Sequence, residues 1–142
     1  MDHFSNGHGA IFVYGTLKHD QRNFLVIADD VLSHEEAFIE GTMYDLGPYP
    51  GVVLNGENIV KGELMIVKNM PDVIRRLDAL EGYRPDDPKY CHYNRRTVDV
   101  AIDGGRKRVK AYTYEIIDRY GLAEERKPVV VEWFPNEYWT RS

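Results

Sequence analysis

The chain holds 142 residues, with 23 Asp+Glu against 18 Lys+Arg and a formal net charge of -5. That is one ordinary domain's worth of protein, without the basic surface of a sequence-independent nucleic-acid binder. A hydrophobic fraction of 43% and a charged fraction of 29% exclude disordered, collagenous and coiled-coil classes.

The one cysteine, Cys91, excludes an intramolecular disulfide and a multi-thiolate metal site. Residues 1–9 are polar, lack the charged-then-apolar pattern of a signal peptide, and read as a flexible N-terminus. No apolar run approaches the ~18 residues of a membrane helix. The expectation is a cytoplasmic protein, a single domain over residues 1–142, with neither a membrane nor a nucleic acid as partner.

Residues 10–14 (AIFVY) form a short apolar run stopped by Gly15, the pattern of a buried strand. Residues 16–28 follow as a turn and then a helix or a loop, with Phe24, Leu25 and Ile27 as their apolar content. Residues 37–46 (AFIEGTMYDL) read as one strand bent at Gly41. In residues 47–51 (GPYPG) two prolines fix φ and withhold donors, which predicts a rigid, irregular loop. Residues 52–54 and 59–67 read as strands joined by a turn at Asn55 and Gly56.

The period then changes. Asn69 predicts a helix N-cap, with Pro71 and Asp72 suited to the first turn. Val73, Ile74, Leu77 and Leu80 recur at helical spacing, and Gly82 stands where a C′ glycine ends a helix. Residues 84–90 (RPDDPKY) read as a loop. Residues 93–102 and 106–116 alternate as strands around Asp103, Gly104 and Gly105, a hairpin signal. The basic run 106–110 reads as a solvated hairpin edge. Residues 118–142 show no clear pattern, interrupted by Pro128 and Pro135, although Val129, Val130, Val131, Trp133 and Trp139 suggest packing onto the body. Five or six short strands with one helix predict antiparallel pairing and barrel-like closure. A doubly wound sheet would need a helix after nearly every strand.

Glu81 is the most informative residue. It lies one turn beyond Leu77 and two beyond Ile74, so it continues the apolar stripe instead of facing solvent. Burial and the negative end of the helix dipole both push its pKa upward, toward the range of a general base. The alternative is a partly solvated residue at a frayed helix end. Tyr14, Gly15, Thr16 and Leu17 leave the first strand through a glycine turn whose N–H groups can form an anion-binding nest, or merely a tight turn. Tyr93 and Arg95 share one face of their strand and either point into one cavity or lie on a solvated surface. The five histidines form no HxH or HExxH spacing, so no metal site is expected.

Taken in order, VYGTL, GTMYDLGPYPGVV, GELMIV, LDALEGY and YNRR resemble the gamma-glutamylcyclotransferase-like family, from residue 11 to about 114. The resemblance implies an α+β fold, a small mixed barrel-like sheet with flanking helices and a cavity at one end. It also implies a small-molecule γ-glutamyl substrate and no cofactor. By that resemblance Glu81 corresponds to the catalytic acid/base, and the backbone amides of Tyr14, Gly15, Thr16 and Leu17 to the substrate-binding loop. Tyr93 and Arg95 match a Y-x-R element, and Tyr49 and Pro50 a cavity lining. The competing expectation is a non-catalytic binding module with the same cavity.

Overall fold

The computed structural model describes residues 7–14, 25–45, 50–54, 58–81, 83, 93–116 and 128–129. Alternation along the first strand, β1 (Gly9–Val13), sets the plan, because successive strand side chains face opposite sides. Ala10 and Phe12 join one apolar cluster, Ile11 and Val13 a second. The first cluster fills a closed barrel, with strand order β1-β5-β2-β6-β7, built with β2 (Val31–Glu40), β5 (Ile59–Val67), β6 (Tyr93–Ile102) and β7 (Lys107–Ile116). Most pairings are antiparallel; β1 and β7 meet in parallel at Ile11 and Tyr112. A smaller sheet of β3 (Thr42–Asp45), β4 (Pro50–Val53) and β8 (Pro128–Val129) adds Met43 and Val52 to the barrel's cluster.

The second cluster lies under the long helix α1 (Met70–Glu81). Val73 and Leu77 are fully buried there against Ile11, Val13, Tyr93 and Tyr114. The helix starts where its sequence signal puts it: Asn69 directly precedes it and accepts the first helical bonds through its carbonyl, and its side-chain amide donates to Asp30 Oδ1. The exposed Met70 N–H is taken up by the carbonyl of Gly7. At the other end Tyr83 N–H donates to the Asp78 carbonyl at 2.8 Å, the six-to-one bond of a Schellman end. Gly82, the expected C′ residue, lies outside the described residues.

Several expected boundaries move. Gly41 does not bend one strand but separates two, because the chain passes from barrel to small sheet there. β2 begins at Val31, earlier than expected; its first half is solvent-facing, which hid it from an apolar pattern. Pro50, placed in a rigid loop, starts β4 opposite Asp45. Gly9, assigned to a flexible terminus, opens β1 opposite Val67. Leu80 is 39% exposed, so the apolar stripe leaves the core one residue before Glu81. The basic run 106–110 is largely solvent-exposed, as expected, and β7 meets β1 only beyond it, at Tyr112. Among the described residues, no helix is long and apolar enough to cross a membrane.

Candidate active site

The ends of β1, β7 and α1 and the beginning of β6 converge at one end of the barrel. Tyr14 follows β1 directly. Its hydroxyl donates to the Tyr114 carbonyl at 2.5 Å and is also hydrogen-bonded by the backbone of Val52. One side chain thus ties the exit of β1 to β7 and β4. Burial, first, and then the neighbouring Tyr93 and Glu81 push the Tyr14 hydroxyl well above the ordinary tyrosine pKa. Tyr14 therefore stays a neutral donor.

Glu81 closes α1 and is only partly accessible. Its carboxyl is pushed up to about 7, and burial is the cause. None of the ion pairs among the described residues includes it. Its charge is nonetheless felt by both Tyr14 and Tyr114, so the carboxylate lies within electrostatic reach of both hydroxyls. A carboxyl titrating near neutrality accepts and returns a proton with little driving-force penalty on either leg.

Arg95 has a different set of partners. Its guanidinium donates to Asp78 Oδ2 at 2.5 Å and lies 5.2 Å from the ring centres of both Tyr83 and Tyr112. The Tyr114 hydroxyl donates to the other Asp78 oxygen at 2.6 Å. Burial and this bond to a carboxylate hold the Tyr114 hydroxyl far above its ordinary pKa. The β6–β7 register sets Arg95 directly opposite Tyr114, so one aspartate receives both. Tyr93 shares the Arg95 face, as expected, and is buried beneath α1. Nearby, Glu115 Oε2 accepts the Leu54 N–H at 2.8 Å and fastens β4 to β7.

The structure therefore brings together Tyr14, Glu81, Tyr93 and Arg95. Gly15, Thr16, Leu17 and Tyr49 lie outside the described residues, as does the Pro50 side chain. Asp78, Tyr114 and Glu115 were not singled out by the sequence reading. Asp78 had a legible signal, since it stands one turn before Glu81 on the same helix face. Tyr114 had one as well: once the hairpin turn is fixed, counting along both strands sets it against Arg95. An open cavity of about 410 Å³ lies elsewhere, lined by Ile39, Glu40, Leu54, Val98, Asp99 and Arg108. It includes neither Tyr14 nor Glu81.

The described residues thus form a closed five-stranded barrel covered by one helix, with a partly buried glutamate where that helix ends. The family model described as "Gamma-glutamyl cyclotransferase, AIG2-like" matches residues 11–141, and the chain belongs to that family. It is 37% identical over 91 residues to a Vibrio cholerae protein provisionally named a gamma-glutamylcyclotransferase, covering 63% of this chain and 71% of that one. It is 33% identical over 116 residues to the gamma-glutamylaminecyclotransferase of Bos taurus. That match covers 73% of this chain but 63% of the cattle protein, just under two thirds of its length. Among solved structures, a mouse AIG2-like protein shares the fold with a TM-score of 0.67 at 22% identity, covering 86% of each chain.

Proposed function

We propose that this protein is a γ-glutamyl cyclotransferase in which Glu81 is the general base and acid. A γ-glutamyl amide carries its own nucleophile, the α-amine, a few bonds from the γ-carbonyl. Attack of the amine on that carbonyl forms the C–N bond of a five-membered lactam, and collapse breaks the bond to the leaving amine. The products are 5-oxoproline and a free amine or amino acid, with no water consumed. Holding the glutamyl chain folded back contributes roughly 7–11 kcal/mol by orientation.

The α-amine, with a reference pKa of ~8, arrives largely protonated. Glu81 takes that proton before attack and delivers it to the departing nitrogen; the ring nitrogen sheds its second proton as the lactam forms, and the released amine takes it up to leave as an ammonium. The observation that carries this reading is a partly buried carboxyl at the end of α1, raised to about 7 by burial and within electrostatic reach of two neutral hydroxyls. Backbone amides of residues 15–17, following Tyr14, are the proposed holders of the substrate carboxylate or developing oxyanion. One such donor is worth roughly 3–4 kcal/mol at an oxyanion.

The test is 5-oxoproline release from a panel of γ-glutamyl amides, comparing wild type with Glu81→Gln. Gln keeps the shape of Glu but cannot take the proton. Release should fall by roughly two to four orders of magnitude while substrate still binds. Near-wild-type release by Glu81→Gln on the best substrate would exclude Glu81 as the base. Binding across the panel without release by wild type would favour the non-catalytic module.

A further inference from the structure

Among the described residues, one cation from the barrel contacts the last turns of α1. Arg95 belongs to β6, at the end of the barrel where α1 finishes, and an arginine beside a carboxylate would ordinarily pair with it. It does not pair with Glu81. Its guanidinium sits on Asp78, one helical turn earlier, clamped between the rings of Tyr83 and Tyr112. Side chains three apart on a helix stand about 5–6 Å apart at Cβ, so a small swing of Arg95 separates the two carboxylates. The Tyr114 hydroxyl marks how close the groups are: it donates to Asp78 and feels the charges of both Arg95 and Glu81.

We propose that Asp78 is a positioning residue for Glu81: its carboxylate holds Arg95 and Tyr114 together, fixes the last turn of α1 against β6 and β7, and keeps the guanidinium away from Glu81. This rests on the reading of Glu81 as the base. The two carboxylates divide the work. Asp78 neutralises the cation and orients it; Glu81 is left in a neutral, poorly hydrated setting where its proton can be exchanged.

The groups around Glu81 among the described residues make the electrostatics specific. β1 contributes the Tyr14 hydroxyl, which is kept neutral by burial. β6 contributes Tyr93 and Arg95, β7 contributes Tyr114 and Glu115, and α1 itself contributes Asp78. Glu115 is turned toward the Leu54 N–H and Arg96, and Tyr114 toward Asp78. Among the described residues, Arg95 is the cation held at this turn of α1, and Asp78 is the carboxylate that holds it.

Site-resolved NMR titration of the Glu81 carboxyl tests this directly, with the acid limb of 5-oxoproline release as a second readout. In Asp78→Asn the guanidinium is left uncompensated, and the Glu81 midpoint should fall by about one to three pH units. The acid limb should move with it. Adding Arg95→Gln should restore a midpoint near 7. Arg95→Gln alone leaves the Asp78 charge facing Glu81 and should raise the midpoint.

A folded Asp78→Asn protein whose Glu81 titrates as in wild type would overturn the proposal. So would a fall that the double substitution does not reverse. If Asp78→Asn fails to fold, Arg95→Gln decides, and an unmoved or lowered Glu81 midpoint overturns it. Titration needs no turnover, so the two readings fail separately. Retained release by Glu81→Gln would remove the base, while the Asp78→Asn titration would still judge the role of Asp78.

Discussion

Glu81 gains its chemistry from what surrounds it, since an exposed glutamate at the end of a helix would be ionised throughout the physiological range. Here burial moves its carboxyl from 4.5 to about 7, and that shift has a kinetic signature. If Glu81 must be ionised to accept the α-ammonium proton, kcat/KM rises with pH and begins to level above about 7. The substrate amine adds its own inflection near ~8, which a γ-glutamyl substrate with an altered α-amine pKa would displace while leaving the enzyme's own limb in place. A profile that is flat from acid to neutral pH would mean that no group titrating near 7 limits the reaction. Tyr14 supports this setting differently, by fastening the exit of β1 to β7 and β4 through one hydroxyl.

At the level of elements, α1 positions Glu81 and β1 positions Tyr14, so variants beneath either should separate stability from chemistry. Leu77 is fully buried between α1 and the outer barrel face. Leu77→Ala should cost about 2–5 kcal/mol, read as a lower denaturation midpoint with an unchanged slope. No loss of stability would mean that the helix packs less closely than described. Gly62 in β5 is stricter. A Cβ there would stand 2.2 Å from the Val13 carbonyl oxygen and 2.6 Å from the Phe12 ring, where β1 crosses. Backbone cannot give way as a flexible side chain can, so Gly62→Ala should fail to yield folded protein, whereas Gly104→Ala, with open space around it, should fold with modest strain at its positive φ. The same contrast explains what was legible in the sequence. The helix, the 93–116 hairpin and the inward turn of Glu81 rest on local period and turn chemistry, which one chain displays. The exposed half of β2 and the two-residue β8 rest on partners distant in sequence, which local pattern does not display. For Asp78 the helix spacing from Glu81 is legible, but its partners Arg95 and Tyr114 come from strands and are not.

Across the whole molecule, the titrating groups pull stability in opposite directions, and their balance gives a sharp expectation. Asp30, bonded by Arg76 and Asn69, titrates below its ordinary 3.8, so its contribution is present above that pH and is lost as acid protonates it. Glu81 has the reverse sign. Its folded pKa is raised, so the folded state holds the proton more tightly, and stability is lost as pH rises from 4.5 to about 7. Tyr14 and Tyr114 are raised from 10.0, so their contribution stays constant until the solution is strongly alkaline. Both carboxylate contributions are intact only between the ordinary aspartate and glutamate values, and the melting temperature should peak near pH 4–5. The decline toward pH 8 has a second source, because a chain with net charge -5 repels itself more as acids ionise. Glu81→Gln separates the two. At ~1.4 kcal/mol per pH unit, the Glu81 contribution is about 3 kcal/mol. The variant should therefore match wild type near pH 4 and exceed it by about that amount at pH 8, where the wild-type carboxylate is buried and charged. Parallel melting curves for the two proteins from pH 4 to pH 8 would mean that Glu81 is solvated like any surface glutamate. The electrostatic basis for its role as a base would then be lost, whatever the kinetics showed.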